Sequence, residues 1–160
     1  MPKVVTDEER TQVRDAIYGK TIVLIREKGL KKVTVDDIAA AVGISKGTFY
    51  AYYPSREAGL YEVLKRSEAE MFARMEDIMA EGIKSRAQVV RLFREVYLAP
   101  DSVVLHMSPT DLEVLLRKLP AEYRQREKDK SVSFFGRSLA LLNIEESQME
   151  TLALLSDCIG

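Results

Sequence analysis

The 160 residues predict an all-α fold, an N-terminal three-helix head followed by a helical body. Three observations carry the expectation. Apolar residues recur at helical spacing along most of the chain. Ser or Thr stands before these runs and Gly or Pro after them, as helix ends require. No stretch alternates in the manner of a strand, and no internal repeat or low-complexity tract is present. The expected division is a head over residues 1–54 and a body over residues 55–160.

The first helix is expected from Asp7 to Lys28. Thr6 is placed to cap it with Glu9 three residues on, and Asp7, Glu8 and Glu9 complement its dipole. Val13, Ile17, Thr21 and Leu24 form one stripe, widened by Ile22 and Ile25, and Gly29 ends the helix. Thr34 then caps a short helix, with Asp37 in the Glu position of a capping box. Ile38, Ala39 and Val42 make its apolar face, and Gly43 supplies the positive φ that its end needs. Ser45 caps the next helix, which runs through Phe49, Tyr50 and Tyr53 and stops at Pro54. Two short helices around a glycine turn describe a helix-turn-helix, whose second helix is the one that enters a major groove.

Ser55 opens a long helix reaching to about Gly82, with Leu60, Leu64, Met71, Met75, Ile78 and Met79 on one face. Some 25 residues of helix span roughly 37 Å, so tilting one end displaces the other. Ser85 caps a helix holding Val89, Val90, Phe93, Val96 and Tyr97 that stops before Pro100. Residues 101–107 connect to a new start at Ser108, with Pro109 at the first helical position. Leu112, Leu115, Leu116 and Leu119 follow. Pro120 opens a helix whose charged first half faces water and whose second half is apolar at Val132, Phe135, Leu139 and Leu142. A last helix is expected from Glu145 to about Asp157.

The stretch Val33–Glu57, VTVDDIAAAVGISKGTFYAYYPSRE, strongly resembles the tetracycline-repressor (TetR) family of transcriptional regulators. Thr, a short Ile-Ala helix, a Gly-Ile-Ser turn, Lys-Gly-Thr-aromatic-Tyr and Pro-Ser-Arg-Glu match the family pattern almost continuously, surface positions included. Beyond Leu64 the resemblance is one of helix layout. Lys46, at the start of the reading helix, can reach a phosphate or a guanine edge. Gly47 lets the backbone approach closely, and Thr48 can bond a base or phosphate or meet a thymine methyl. Tyr50 and Tyr52 carry hydroxyls suited to the backbone, and Arg56 suits a phosphate. The resemblance assigns the same roles to Lys46, Gly47, Thr48, Tyr50, Tyr52 and Arg56. Ser45 is expected to contribute its backbone amide near a helix N-terminus. Val35 stands where family members often carry a phosphate-contacting hydroxyl, which leaves that contact either missing or moved to Thr34. Phe49 and Tyr53 face the core.

Charge agrees in sign. Residues 1–66 hold 12 Lys/Arg and 9 Asp/Glu, +3, and residues 67–160 hold 12 and 16, −4. A basic head on an acidic body suits a phosphate-facing surface. One cysteine, Cys158, excludes an internal disulfide or a thiolate metal cluster. No cleavable leader and no apolar run of membrane-spanning length is seen, so a cytoplasmic chain that avoids membranes is expected. Enzyme chemistry finds no support: His106 and Cys158 lack evident partners, and no nucleophile motif or phosphate-cradling loop appears. Asp36–Asp37 and Glu145–Glu146 diverge on a helix surface and read as capping and solvation. No metal or cofactor is called for.

For the body, the resemblance implies a pocket for a small-molecule effector and a homodimer interface in the last two helices. Met71, Phe72, Met75, Met79, Phe93, Tyr97, Met107, Tyr123, Phe134 and Phe135 are the candidate lining. Flexible thioethers and aromatics suit such a pocket and equally suit a packed core. Only one helix follows the Phe135–Leu142 helix, so the chain is either a short member or lacks a terminal helix. Leu152, Leu154, Leu155 and Ile159 are expected at a two-fold interface. The reading is a ligand-responsive repressor that binds a palindromic DNA operator as a homodimer. The rival is an architectural or protein-partner scaffold that uses the same head on DNA without an effector. A closed body favours the rival, and a cavity of a few hundred cubic ångströms favours the regulator.

Overall fold

The computed structural model describes residues 6–80, 86–103 and 106–129. Seven α-helices and no strand are found among the described residues: α1 (Asp7–Lys28), α2 (Val35–Val42), α3 (Lys46–Tyr52), α4 (Arg56–Ala80), α5 (Arg86–Leu92), α6 (Pro109–Lys118) and α7 (Ala121–Asp129). The apolar helix expected over Val132–Leu142 and the last helix from Glu145 lie outside the described residues, as do Leu152, Leu154, Leu155 and Ile159.

Local chemistry sets the helix ends. The Thr6 hydroxyl accepts from the Glu9 amide at 3.1 Å, and the Glu9 carboxylate accepts from the Thr6 amide at 2.9 Å, closing a capping box. Thr34 and Asp37 repeat the arrangement at α2, with both bonds present at 3.1 and 2.8 Å. Asp36 and Asp37 sit in the first turn, where negative charge meets the positive helix end. Gly43 leaves α2 at φ 79°, ψ 34°, the left-handed conformation that an L side chain resists. Ser45 caps α3 by accepting from the Thr48 amide, and Tyr53 is the first residue beyond it. Ser55 does the same for α4 through the Ala58 amide at 3.0 Å, and Ser108 for α6 with Pro109 at the first position. A 3-10 turn, Leu30–Lys32, carries Leu30 back to the core between α1 and α2. The helix expected to run unbroken toward Pro100 instead passes from α5 into a wider π-helical turn at Phe93–Tyr97.

The core forms three clusters. The largest joins Ile17, Ile22 and Ile25 of α1 to Leu30, Val33, Val35 and Ile38, and to Phe49 at the centre of α3. It does not stop at residue 54. Leu60, Val63 and Leu64 of α4, Val103 of the connector and Leu115 of α6 belong to the same cluster. The second cluster packs Met71, Phe72, Met75 and Ile78 of α4 against Leu92 and Val96. The third sets Tyr61 edge-on to Tyr123 at 5.7 Å, with Ala58 and Leu119. Ion pairs stitch α1 to α4: Arg66 donates to Asp15 at 2.6 Å and to Glu70 at 3.0 Å, and the Tyr18 hydroxyl donates to Glu70 at 2.6 Å. Arg26 donates to the Pro100 carbonyl, tying the end of α1 to the connector.

Candidate nucleic-acid interface

Phe49 decides which way α3 faces. Its side chain is fully buried, so residues on the opposite side of this two-turn helix must point outward. Lys46, Gly47, Tyr50 and Ala51 are exposed, and Thr48 and Tyr52 flank them at intermediate depth. Tyr50 keeps half of its surface in water while its ring meets the edge of Phe49 at 5.6 Å. A tyrosine held at its base and free at its hydroxyl can reach outward without losing its position.

Gly47 is informative because none of the described residues crowds a side chain there. A Cβ at that position would meet only the Ser45 hydroxyl, at an ordinary 3.6 Å. The close approach that Gly47 permits is therefore available on its outer side. Gly59 is the opposite case. A Cβ there would stand 2.6 Å from the far edge of the Phe49 ring, so α4 lies directly on that ring.

Electrostatics around the reading helix are mixed. The Lys46 ammonium pairs with Asp36 at 2.7 Å, and that hydrogen bond holds its pKa above the usual lysine value. Both partners are more than half exposed, so the pair is screened by water and can open for a stronger anion. Asp37 is pulled down to about 2 by the Lys28 ammonium at 2.5 Å and by the Thr34 hydroxyl and amide. The Thr34 hydroxyl accepts from the Asp37 amide and donates to its carboxylate at 2.6 Å. Its donor is therefore occupied by the cap. Val35 is buried and offers no hydroxyl.

Arg56 stands apart from the other expected contacts. Its Nε donates to the Val33 carbonyl at 2.6 Å, and one Nη donates to the carbonyls of Leu30 and Lys31 at 3.1 and 3.0 Å. The other Nη pairs with Glu57 at 3.0 Å. All three nitrogens are engaged, and the guanidinium closes the 3-10 turn that leads into α2. The geometry makes Arg56 a clamp on the loop behind the reading helix. The sequence motif did not signal this, because the partners lie 23–26 residues away.

Tyr52 sits at the cleft side of α3, with the Arg14 guanidinium 5.8 Å from its ring centroid. Arg14 was not singled out in the sequence, and Asp36 was read there as capping and solvation, not as the partner of Lys46. Asp36 carried a hint in its place on the first turn of α2, whereas Arg14 resembles any other cation on a polar helix face.

In the body, Met71, Phe72 and Met75 are buried in the second cluster, with Met79 and Tyr97 packed on its edge. Met107 joins the first cluster and Tyr123 the third, so the described members of the candidate lining are spread over three clusters. The side chains of Phe93, Phe134 and Phe135 lie outside the described residues. No group of three or more His, Cys, Asp or Glu suited to a metal occurs among the described residues. No described helix is long and apolar enough to cross a membrane.

A capped helix, a left-handed glycine turn and a second helix with a cation, a glycine and a tyrosine outward define a helix-turn-helix protein. The profile of bacterial regulatory proteins of the tetR family matches residues 17–62, from α1 into α4. The chain is 31% identical over 122 residues to the HTH-type transcriptional repressor KstR2 of Rhodococcus jostii, covering 70% of this chain and 60% of that protein. It is 44% identical over 58 residues to the HTH-type transcriptional regulator EthR of Mycobacterium tuberculosis, 35% of this chain and 27% of that one. It is 35% identical over 68 residues to the nucleoid occlusion factor SlmA of Haemophilus ducreyi, 42% of this chain and 32% of that one. The chain belongs to the TetR family of bacterial regulatory proteins. It spans three-fifths or less of the length of these relatives. No solved structure matches it significantly.

Proposed function

We propose that the chain is a cytoplasmic transcriptional regulator, acting by binding rather than catalysis, that reads a palindromic operator with α3 as a homodimer. The reading rests on one observation above the rest. The outer face of α3 presents Lys46, Gly47 and Tyr50 to solvent, and none of the described residues crowds a side chain at Gly47. Ser45, Thr48 and Tyr52 border that face, Thr34 supports it as a cap, and Arg56 holds the loop behind it. The head comprises residues 1–54 in this reading, with residues 55–160 forming the effector and dimer body. Two heads must lie about one helical turn apart, roughly 34–36 Å or a multiple, to meet both half-sites. A ligand releases DNA only if it binds the wrongly spaced dimer more tightly. Repression is favoured over activation by the similarity to KstR2, whose name gives it as a repressor.

Lys46→Ala and Tyr50→Ala are each expected to weaken binding to fragments selected from the parent genome by ~1–3 kcal/mol. Neither should lower the melting temperature, because both side chains are exposed. Gel shifts paired with thermal melts measure this, and unchanged affinity in both variants rejects the assignment of the reading face. Raising salt from 50 to 200 mM is expected to cut the wild-type affinity at least about tenfold through counterion release. A flat salt response by filter binding counts against phosphate contact altogether.

A second reading, a scaffold on DNA without an effector, draws on the packed Met71–Phe72–Met75 cluster and on the similarity to a nucleoid occlusion factor. It shares the DNA predictions and differs in that no small molecule changes the affinity.

A further inference from the structure

A concave surface of about 370 Å³ lies beside the reading face, where α1, the end of α3, α4 and α7 meet. We propose that this cleft binds a small aromatic carboxylate, held between Arg14 of the head and Arg126 of the body. The proposal gives the effector of the regulator described above a place and a chemical class, and its regulatory consequence rests on that reading.

The three arginines of the cleft are in different states. Arg66 lies over the Tyr18 ring at 4.1 Å and donates to both Asp15 and Glu70, so it is a fixed post between α1 and α4. Arg126 lies 4.3 Å from the Tyr123 ring centroid and reaches Glu62 only at 3.4 Å. Arg14 lies 5.8 Å from the Tyr52 centroid and has no ion pair among the described residues. Arg14 and Arg126 therefore have N–H donors to spare. A guanidinium packed on an aromatic ring keeps its N–H edge available, and that planar edge matches a carboxylate in two parallel bonds.

The walls narrow the class further. Tyr52, half-buried and only loosely covered by Arg14 at 5.8 Å, offers ring surface to an aromatic body, whereas Tyr123 is buried beneath Arg126. The volume falls in the range of small-molecule sites rather than of a single inorganic ion. Glu62 on the same wall repels a multiply charged phosphate more than a singly charged carboxylate. Arg14 sits on α1 and Arg126 on α7, so an occupant held by both would tie the head to the body.

The chain contains no tryptophan, and four of its seven tyrosines, Tyr18, Tyr52, Tyr53 and Tyr123, line the cleft, so tyrosine emission corrected for naphthoate absorption reports on it. Titration of the full chain with 2-naphthoate is expected to quench that emission saturably. Cyclohexanecarboxylate, equally charged but without an aromatic face, should displace bound 2-naphthoate only at a concentration at least about tenfold higher than an aromatic carboxylate needs. Arg14→Gln and Arg126→Gln should each weaken 2-naphthoate about tenfold, the loss of a charge-assisted bond, with the melting temperature unchanged. Quenching that never saturates, or that both variants leave intact, overturns the site. The same preparations are run in gel shifts on genome fragments. Retained DNA binding without naphthoate binding overturns the cleft alone. Naphthoate binding with the expected variant pattern, but without DNA binding, supports the cleft and overturns the regulator reading alone.

Discussion

Phe49→Ala is expected to destabilise the head by about 3–5 kcal/mol, read as a fall in the urea midpoint. The ring is fully buried, meets Tyr53 at 5.4 Å and Tyr50 at 5.6 Å, and carries the weight of α4 on its far edge. The neighbours are held by their own packing in the same cluster, so the space left by the ring closes only in part. The same contact predicts that Gly59→Ala is harmful, although alanine is the better helix former. Overpacking costs about 1–3 kcal/mol and the gain in helix propensity offsets at most about 1 kcal/mol. Shrinking the ring should relieve the clash. Phe49→Leu combined with Gly59→Ala is expected to cost less than the sum of the two single changes. Strict additivity in equilibrium denaturation would show that the ring and α4 do not press on one another.

The second large effect falls on Arg56. Arg56→Ala removes the donor from three carbonyls, two of them on the buried residues Leu30 and Val33. The expected loss is about 2–3 kcal/mol of stability. Arg56→Lys should recover only part, because an ammonium cannot span the fork that the guanidinium fills. A phosphate contact behaves differently: its loss lowers DNA affinity and spares the melting temperature. Measuring both quantities on Arg56→Ala separates the clamp from the contact, and an unchanged melting temperature would return Arg56 to the DNA surface.

Arg56 also marks where sequence reasoning stops. The helix ends were legible because their chemistry is local: Thr34 meets Asp37 three residues on, and Gly43 needs only its own φ. The outward set on α3 was legible because Phe49 and the 3.6-residue period fix the opposite face. Contacts across long separations left no such mark. Nothing in Pro-Ser-Arg-Glu points to carbonyls more than twenty residues earlier, and nothing near Val103 or Leu115 announces that they complete the head's core. The methionine row on α4 suited a packed core better than a pocket on spacing alone, and Met71 and Met75 are buried in the second cluster. The cleft of Arg14 and Arg126 escaped notice because its walls come from four helices with no shared motif.

The core that runs past residue 54 has a practical consequence for dissecting the molecule. A fragment cut at Pro54 would lose Leu60, Val63 and Leu64 from beneath Phe49 and leave an oily floor open to water. The smallest excisable piece must therefore keep at least the opening turns of the long rod. By the same token, heating cannot melt the N-terminal trio while leaving the beginning of that rod intact, because one oily floor lies beneath both.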